Sequence, residues 1–176
     1  MTTAVPLSLE LYLVRHAVAA ERGPHYPDDA GRPLTPDGIE KWRASVAGLR
    51  EFGLVLDLVL TSPLARALRT AEILAEGLRP WPPLATADAL APGGRFADVV
   101  AMVVAHAGAS RRTSRVALVG HEPDLGELAA TLLGARGAIE FKKGAVCRID
   151  VDRAMPGGPG TLRWFLTPRV LRGLAP

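Results

Sequence analysis

Runs of apolar residues alternate with helical periodicity along most of this chain, and that alternation restricts it to a layered α/β fold. Residues 9–14 (Leu-Glu-Leu-Tyr-Leu-Val), 56–61 (Leu-Asp-Leu flanking Leu56 to Thr61), a short stretch near Thr86, and 115–119 read as strands. Helical patterns separate them, which is the signature of βαβ units and a mainly parallel sheet. The first helix opens at Thr35-Pro36, with Thr35 as N-cap, Pro36 at the first helical position, and an apolar face of Ile39, Trp42, Val46 and Leu49 ending at Gly53. A second starts with Ser62 as cap and Pro63 in its first position, with Leu64, Leu68, Ala71 and Leu74-Ala75 as its buried stripe. Further helices are expected at 96–107 and 123–133, and 145–151 and 161–166 close the sheet as a hairpin across the Gly/Pro-rich turn at 155–160. The tail from Pro168 is basic and is expected at the surface. The chain of 176 residues fits one domain over 1–176, with a central, mostly parallel sheet of about six strands and helices on both faces.

Charge is concentrated where strands end. Arg15-His16 follows the first run, His121 follows Val116-Ala117-Leu118-Val119-Gly120, and Arg66 lies just past Thr61-Ser62-Pro63. Open α/β sheets bind ligands at the carboxyl ends of their strands. Arginine forks match the equatorial oxygens of a phosphoryl group in transfer. A neutral imidazole attacks phosphorus, and nearby arginines favour that neutral form. The combination permits a double displacement, with phosphate moving to a histidine and water then releasing it. No metal or other cofactor is called for, since the arginines supply the positive charge; Asp28-Asp29 reads as a solvated turn rather than a cation site. His25 falls in the Pro-rich loop at 21–33 and is expected in solvent, and His106 late in a helix makes a C-terminal contact.

The motifs resemble those of the histidine phosphatase, or phosphoglycerate mutase-like, superfamily. Its Arg-His-Gly is here Arg15-His16-Ala17, its Ser-Pro-x-x-Arg-Ala-x-x-Thr-Ala runs in full from Ser62 to Ala71, and its Gly-His is Gly120-His121; the matches lie between Leu11 and Gly126. The Arg32-Pro33-Leu34-Thr35 stretch and the short length resemble the small phosphohistidine phosphatases. The resemblance implies His16 as nucleophile, Arg15 and Arg66 as phosphate clamps, His121 as second histidine and Arg32 as an auxiliary phosphate contact. For the general acid it leaves two positions open, Asp88 after the third strand and Glu122 beside His121. An alkoxide needs a proton to leave, whereas imidazole, with a pKa of about 6.5, leaves with less help. A weakly defined acid, and a 86–115 interval too short for a large lid, favour protein phosphohistidine as substrate. A small phosphate monoester is the alternative, a mutase is disfavoured, and a non-catalytic phosphate- or partner-binding module stands further off because the Arg-His-Arg-His quartet is intact.

The remaining expectations concern setting. Net charge of +3 favours anionic ligands but is too small, without a basic block, for nucleic acid. No apolar run reaches the ~20 residues that span a bilayer, and the start lacks a secretory leader, so the expected location is the cytoplasm. The partner is a phosphohistidine-bearing protein or a small phosphorylated substrate, met by a monomer. Cys147, the single cysteine, reads as a small buried apolar residue.

Overall fold

Six strands and five helices follow one another in the computed structural model, which describes residues 8–109, 115–137, 139–152 and 154–176. The leader reading rests largely on residues 1–7, which lie outside the described residues. The strands are β1 (Ser8–Arg15), β2 (Leu58–Thr61), β3 (Leu84–Thr86), β4 (Arg115–Gly120), β5 (Val146–Asp152) and β6 (Thr161–Leu166). The helices are α1 (Pro36–Glu51), α2 (Ala65–Gly77), α3 (Phe96–Ala109), α4 (Asp124–Leu133) and α5 (Pro168–Gly173). The sheet runs β3-β2-β4-β1-β5-β6; its first four strands are parallel, and β5 and β6 are antiparallel, so it is mixed, with the expected closing hairpin at one end.

Strands buried on both faces need apolar side chains at every position. β1 meets that demand by alternation. Tyr12 and Val14 face a core shared with Trp42, Val46 and Leu49 of α1, Ala71 and Leu74 of α2, and Leu171 of α5. Leu9, Leu11 and Leu13 face the opposite core, with Val99 and Val103 of α3 and Leu125, Leu128 and Leu132 of α4. Cys147 is fully buried in this second layer, where burial pushes its thiol up to about 12.

Three local expectations need correction, wholly or in part. The buried face of α2 keeps Ala71, Leu74 and Ala75 as expected, but Leu64 and Leu68 are only half-buried, and Arg66, Ala67 and Thr70 are buried in the first turns instead. Ser62 does not cap α2. The helix begins at Ala65, whose N–H donates to Ala30 C=O at 2.9 Å, so a neighbouring loop satisfies it. The tail from Pro168 is at the surface as expected, with Arg169, Val170, Gly173 and Leu174 exposed, but it forms α5, buries Leu171 fully, and lies so close to α1 that a Cβ at Gly48 would come within 1.8 Å of the Leu171 carbonyl oxygen. Thr35 caps α1 as expected, its Oγ1 accepting from Gly38 N–H at 2.9 Å.

Candidate active site

Neighbouring parallel strands bring the two strand-end histidines together. β1 and β4 pair with Arg15 opposite Gly120, so His16 and His121 leave the sheet side by side, and His16 N–H donates to Gly120 C=O at 3.1 Å. Their ring centroids are 5.2 Å apart. β2 borders β4 on its other side, and Ser62 N–H donates to Val119 C=O at 3.0 Å, which delivers the start of α2 to the same edge. The chain leaves β1 towards α1 on one face and β4 towards α4 on the other, and the crevice between such diverging connections is where doubly wound sheets bind ligands.

A cavity of about 370 Å³ opens there, lined by Arg15, His16, Arg32, Arg66, His121 and Glu122, with Arg22, Lys143 and Pro92 among its further wall residues. Of the positions singled out from sequence, Asp88 alone is not in this wall; it is exposed in a short 3-10 turn, Asp88–Leu90. His25 is exposed, and His106 Nδ1 lies 2.9 Å from the Met102 carbonyl one turn back in α3.

His16 is 5% exposed, and its Nδ1 lies 2.7 Å from the carbonyl oxygen of Ala17. A carbonyl can only accept, so Nδ1 carries the ring proton and Nε2 keeps its lone pair. Burial, with His121, Arg66 and Arg15 adding to it, pushes the ring's pKa down to about 3, against the opposing pull of the Ala17 carbonyl. The ring is therefore neutral and nucleophilic at pH 7. His121 is pushed down to about 4 by burial and by Arg66 and Arg15. Its Nε2 lies 2.8 Å from Ser62 Oγ, which itself accepts from Leu64 N–H at 3.3 Å. With the hydroxyl proton assigned to Nε2, the ring's N–H sits on Nδ1.

The loop after His16 is fastened by residues of the second motif. Thr70 Oγ1 accepts from Ala17 N–H at 3.0 Å and donates to Arg66 C=O at 2.7 Å, while Trp42 Nε1 donates to Thr70 C=O at 2.8 Å. The Arg32-to-Thr35 stretch runs antiparallel beside residues 18–20: Thr35 N–H donates to Val18 C=O and Ala20 N–H to Pro33 C=O. Gly38 is required by this approach, since a Cβ there would stand 2.2 Å from Val18 O. Arg32 lies in the wall but spends Nη1 on Ala20 C=O (2.6 Å) and Nε on Asp29 (3.0 Å), so most of its fork holds the loop rather than facing the cavity.

Two contributors were missed by sequence reasoning. Phe141, fully buried, accepts a hydrogen bond from Arg15 Nη1 through its carbonyl and donates its N–H to Glu122 Oε1 at 3.0 Å. Backbone groups leave no residue-type signal. Asp29 is not a solvated turn residue: it accepts from Arg66, Arg32 and Arg22. Glu122 itself, half-buried, has its carboxyl pushed up by burial against the pull of the Phe141 N–H and Arg15.

Three buried side-chain nitrogens among the described residues have no hydrogen-bond partner: Arg15 Nε, Arg66 Nε and His121 Nδ1. All belong to residues of this one wall. Buried polar groups are nearly always paired, so three unpartnered nitrogens on residues that line one cavity point to a polar ligand there. The surrounding cations and neutral ring suit a tetrahedral oxyanion.

Known proteins resemble this chain in sequence and fold. A model of the histidine phosphatase superfamily (branch 1) matches residues 11–92. The chain is 40% identical over 125 residues, 70% of its length and 73% of the other's, to an uncharacterized protein of Picosynechococcus sp.. It is 26% identical over 164 residues, 93% of its length and 97% of the other's, to the phosphohistidine phosphatase SixA of Escherichia coli (strain K12). The structure of the protein histidine phosphatase SixA complexed with tungstate superposes with a TM-score of 0.80 at 26% identity, covering 93% of this chain and 99% of that one. On this fold, these motifs and this likeness, the chain belongs to the histidine phosphatase superfamily and is a hydrolase of the phosphatase type.

Proposed function

We propose that this phosphatase removes the phosphoryl group from protein phosphohistidine, in a cytoplasmic phosphotransfer protein, through a covalent intermediate on His16. The observation that carries the reading is the cavity at the strand ends, whose wall joins Arg15, Arg66 and His121, each with an unpartnered buried nitrogen, to a neutral His16. In the first step Nε2 of His16 bonds to phosphorus, and the P–N bond to the substrate imidazole breaks. Arg15 and Arg66 neutralise the equatorial oxygens, and His121 donates from Nδ1. In the second step water attacks the phosphohistidine, the bond to His16 breaks, and inorganic phosphate leaves. The likeness to SixA of Escherichia coli supports the substrate class. So does the wall: of the described residues 87–109 only Pro92 borders the cavity, and α3 is committed to the core through Val99 and Val103, so this described stretch forms no lid between the site and a histidine presented by another protein.

One observation favours small phosphate monoesters as a second reading. Glu122 lies in the wall beside His121 with its carboxyl pushed up by burial, which suits a proton donor for an alkoxide. Single-turnover hydrolysis of a phosphohistidine-bearing phosphotransfer domain, in parallel with p-nitrophenyl phosphate and alkyl monoesters, separates the two. The first reading expects fast loss of protein phosphohistidine, abolished in His16→Ala and retained in Glu122→Gln. Fast turnover of alkyl monoesters that collapses in Glu122→Gln, with phosphohistidine inert, would establish the second.

A further inference from the structure

Arg66 meets an acidic residue before it meets any substrate. Its Nη1 donates to the backbone carbonyl of Asp29 at 2.7 Å and its Nη2 to Asp29 Oδ2 at 2.8 Å. The other carboxylate oxygen accepts from Arg32 Nε at 3.0 Å and from Arg22 Nε at 2.9 Å. The side chain of Arg66 is 3% exposed and that of Asp29 34%, so one partly screened carboxylate balances a buried guanidinium. Burial pushes the Asp29 carboxyl up, but Arg66 and Arg32 outweigh it and hold it below the ordinary carboxylate range. The same loop satisfies the first N–H of α2 through Ala30 C=O, so Asp29 and the helix that carries Arg66 are joined twice.

The geometry points to Asp29 as a positioning residue for phosphoryl transfer, one that sets the orientation of Arg66 without touching the substrate. A guanidinium is planar, with its five N–H groups in a fixed fork. Asp29 grips the edge formed by the two terminal nitrogens, which fixes the plane of the fork. Arg66 lies in the cavity wall, and the N–H groups of its fork that Asp29 does not engage are thereby held in place for the transferring group. Removing Asp29 leaves a buried cation without its counter-charge, free to turn away from that alignment. A phosphoryl group gripped by a misaligned arginine loses both binding and rate.

The inference rests on the reading of Arg66 as a phosphoryl clamp, so its test uses an oxyanion rather than turnover alone. Calorimetric tungstate binding is measured for the wild type, Asp29→Ala, Asp29→Asn, Arg66→Lys and the Asp29→Ala/Arg66→Lys double variant. Asp29→Ala should weaken tungstate roughly tenfold or more, with Asp29→Asn in between because it keeps one neutral side-chain acceptor where Ala keeps none. In the Arg66→Lys background the same Asp29→Ala change should matter less than about twofold, since coupled partners are not additive. Unchanged or tighter tungstate binding in Asp29→Ala, or an undiminished effect in the Arg66→Lys background, overturns the proposal. Should Asp29→Ala fail to fold, Asp29→Asn alone decides by the same comparison in both backgrounds. Wild type that binds no tungstate takes down the clamp reading and this inference together, whereas wild-type binding matched by Asp29→Ala removes only the inference.

Discussion

Acidification from pH 7.5 to 5 should cost the wild-type protein about 2 kcal/mol more stability than it costs a His16→Gln variant. His16 is 5% exposed and its pKa is pushed down to about 3 by burial first, then by His121, Arg66 and Arg15. In the unfolded chain an ordinary histidine takes its proton near pH 6.5. Between about 6.5 and about 3 the unfolded state thus binds the proton and the folded state does not, so stability falls as pH falls through that window and is fully present above it. At pH 5 the unfolded histidine is about 1.5 pH units below its pKa, and at 1.36 kcal/mol per unit that is about 2 kcal/mol. His121 contributes in the same direction but is present in both proteins, so it largely cancels in the comparison. Urea unfolding with linear extrapolation at pH 5, 6 and 7.5 measures the difference directly. A gap between wild type and variant that stays constant with pH to within about 0.5 kcal/mol would refute the reasoning: the native ring would then be taking a proton like an exposed histidine, and its neutrality as a nucleophile would have no structural basis.

Two further outcomes follow from contacts near the site. Ser62→Ala takes the hydroxyl from His121 Nε2, and kcat for p-nitrophenyl phosphate should fall about tenfold with KM within about twofold, as expected for about 1.4 kcal/mol lost in one hydrogen bond; an unchanged kcat would show that the serine does not hold the ring. Gly38→Ala places a Cβ 2.2 Å from Val18 O, and thermal unfolding should report a Tm lower by roughly 6 °C, the equivalent of about 2 kcal/mol of overpacking in a chain of this size. A Tm within about 1 °C of wild type would mean that the loop after His16 yields freely.

What the sequence displays most openly is the edge of the sheet that carries the chemistry. Arg15-His16, Ser62 to Thr70 and Gly120-His121 each follow an apolar run, and parallel strands put all three ends on one side of the sheet, where the adjacency of β1, β4 and β2 brings the quartet together. The order itself depends on pairing between distant segments, and no local pattern states that β4 separates β1 from β2. Ser62 and Pro63 carry the local signs of a helix start, yet tertiary contacts win: Ala30 takes the helix N–H and the serine turns to His121. Leu64 and Leu68 look like part of a buried stripe by periodicity, but in the first turns of α2 the buried positions are Arg66, Ala67 and Thr70. Asp29 stands in a polar loop among Pro, Gly and Asp, where an acid suggests solvent; its partner Arg66 is 37 residues away. Asp88 and Glu122 both follow strands, and their sequence settings look alike; the structure separates them by place, Asp88 exposed outside the cavity wall and Glu122 within it.

The two-handed hold of Phe141 has a mechanical meaning. Its carbonyl carries Arg15 and its amide carries Glu122, so a cation and a carboxyl of opposite duty hang from the backbone of a single residue anchored in the core. They are linked like the two arms of a balance: a pull on either is felt at the other, and the spacing between them survives any exchange of the side chain at 141 that keeps the core filled. Proline alone among the natural residues would sever one arm while leaving the other in place.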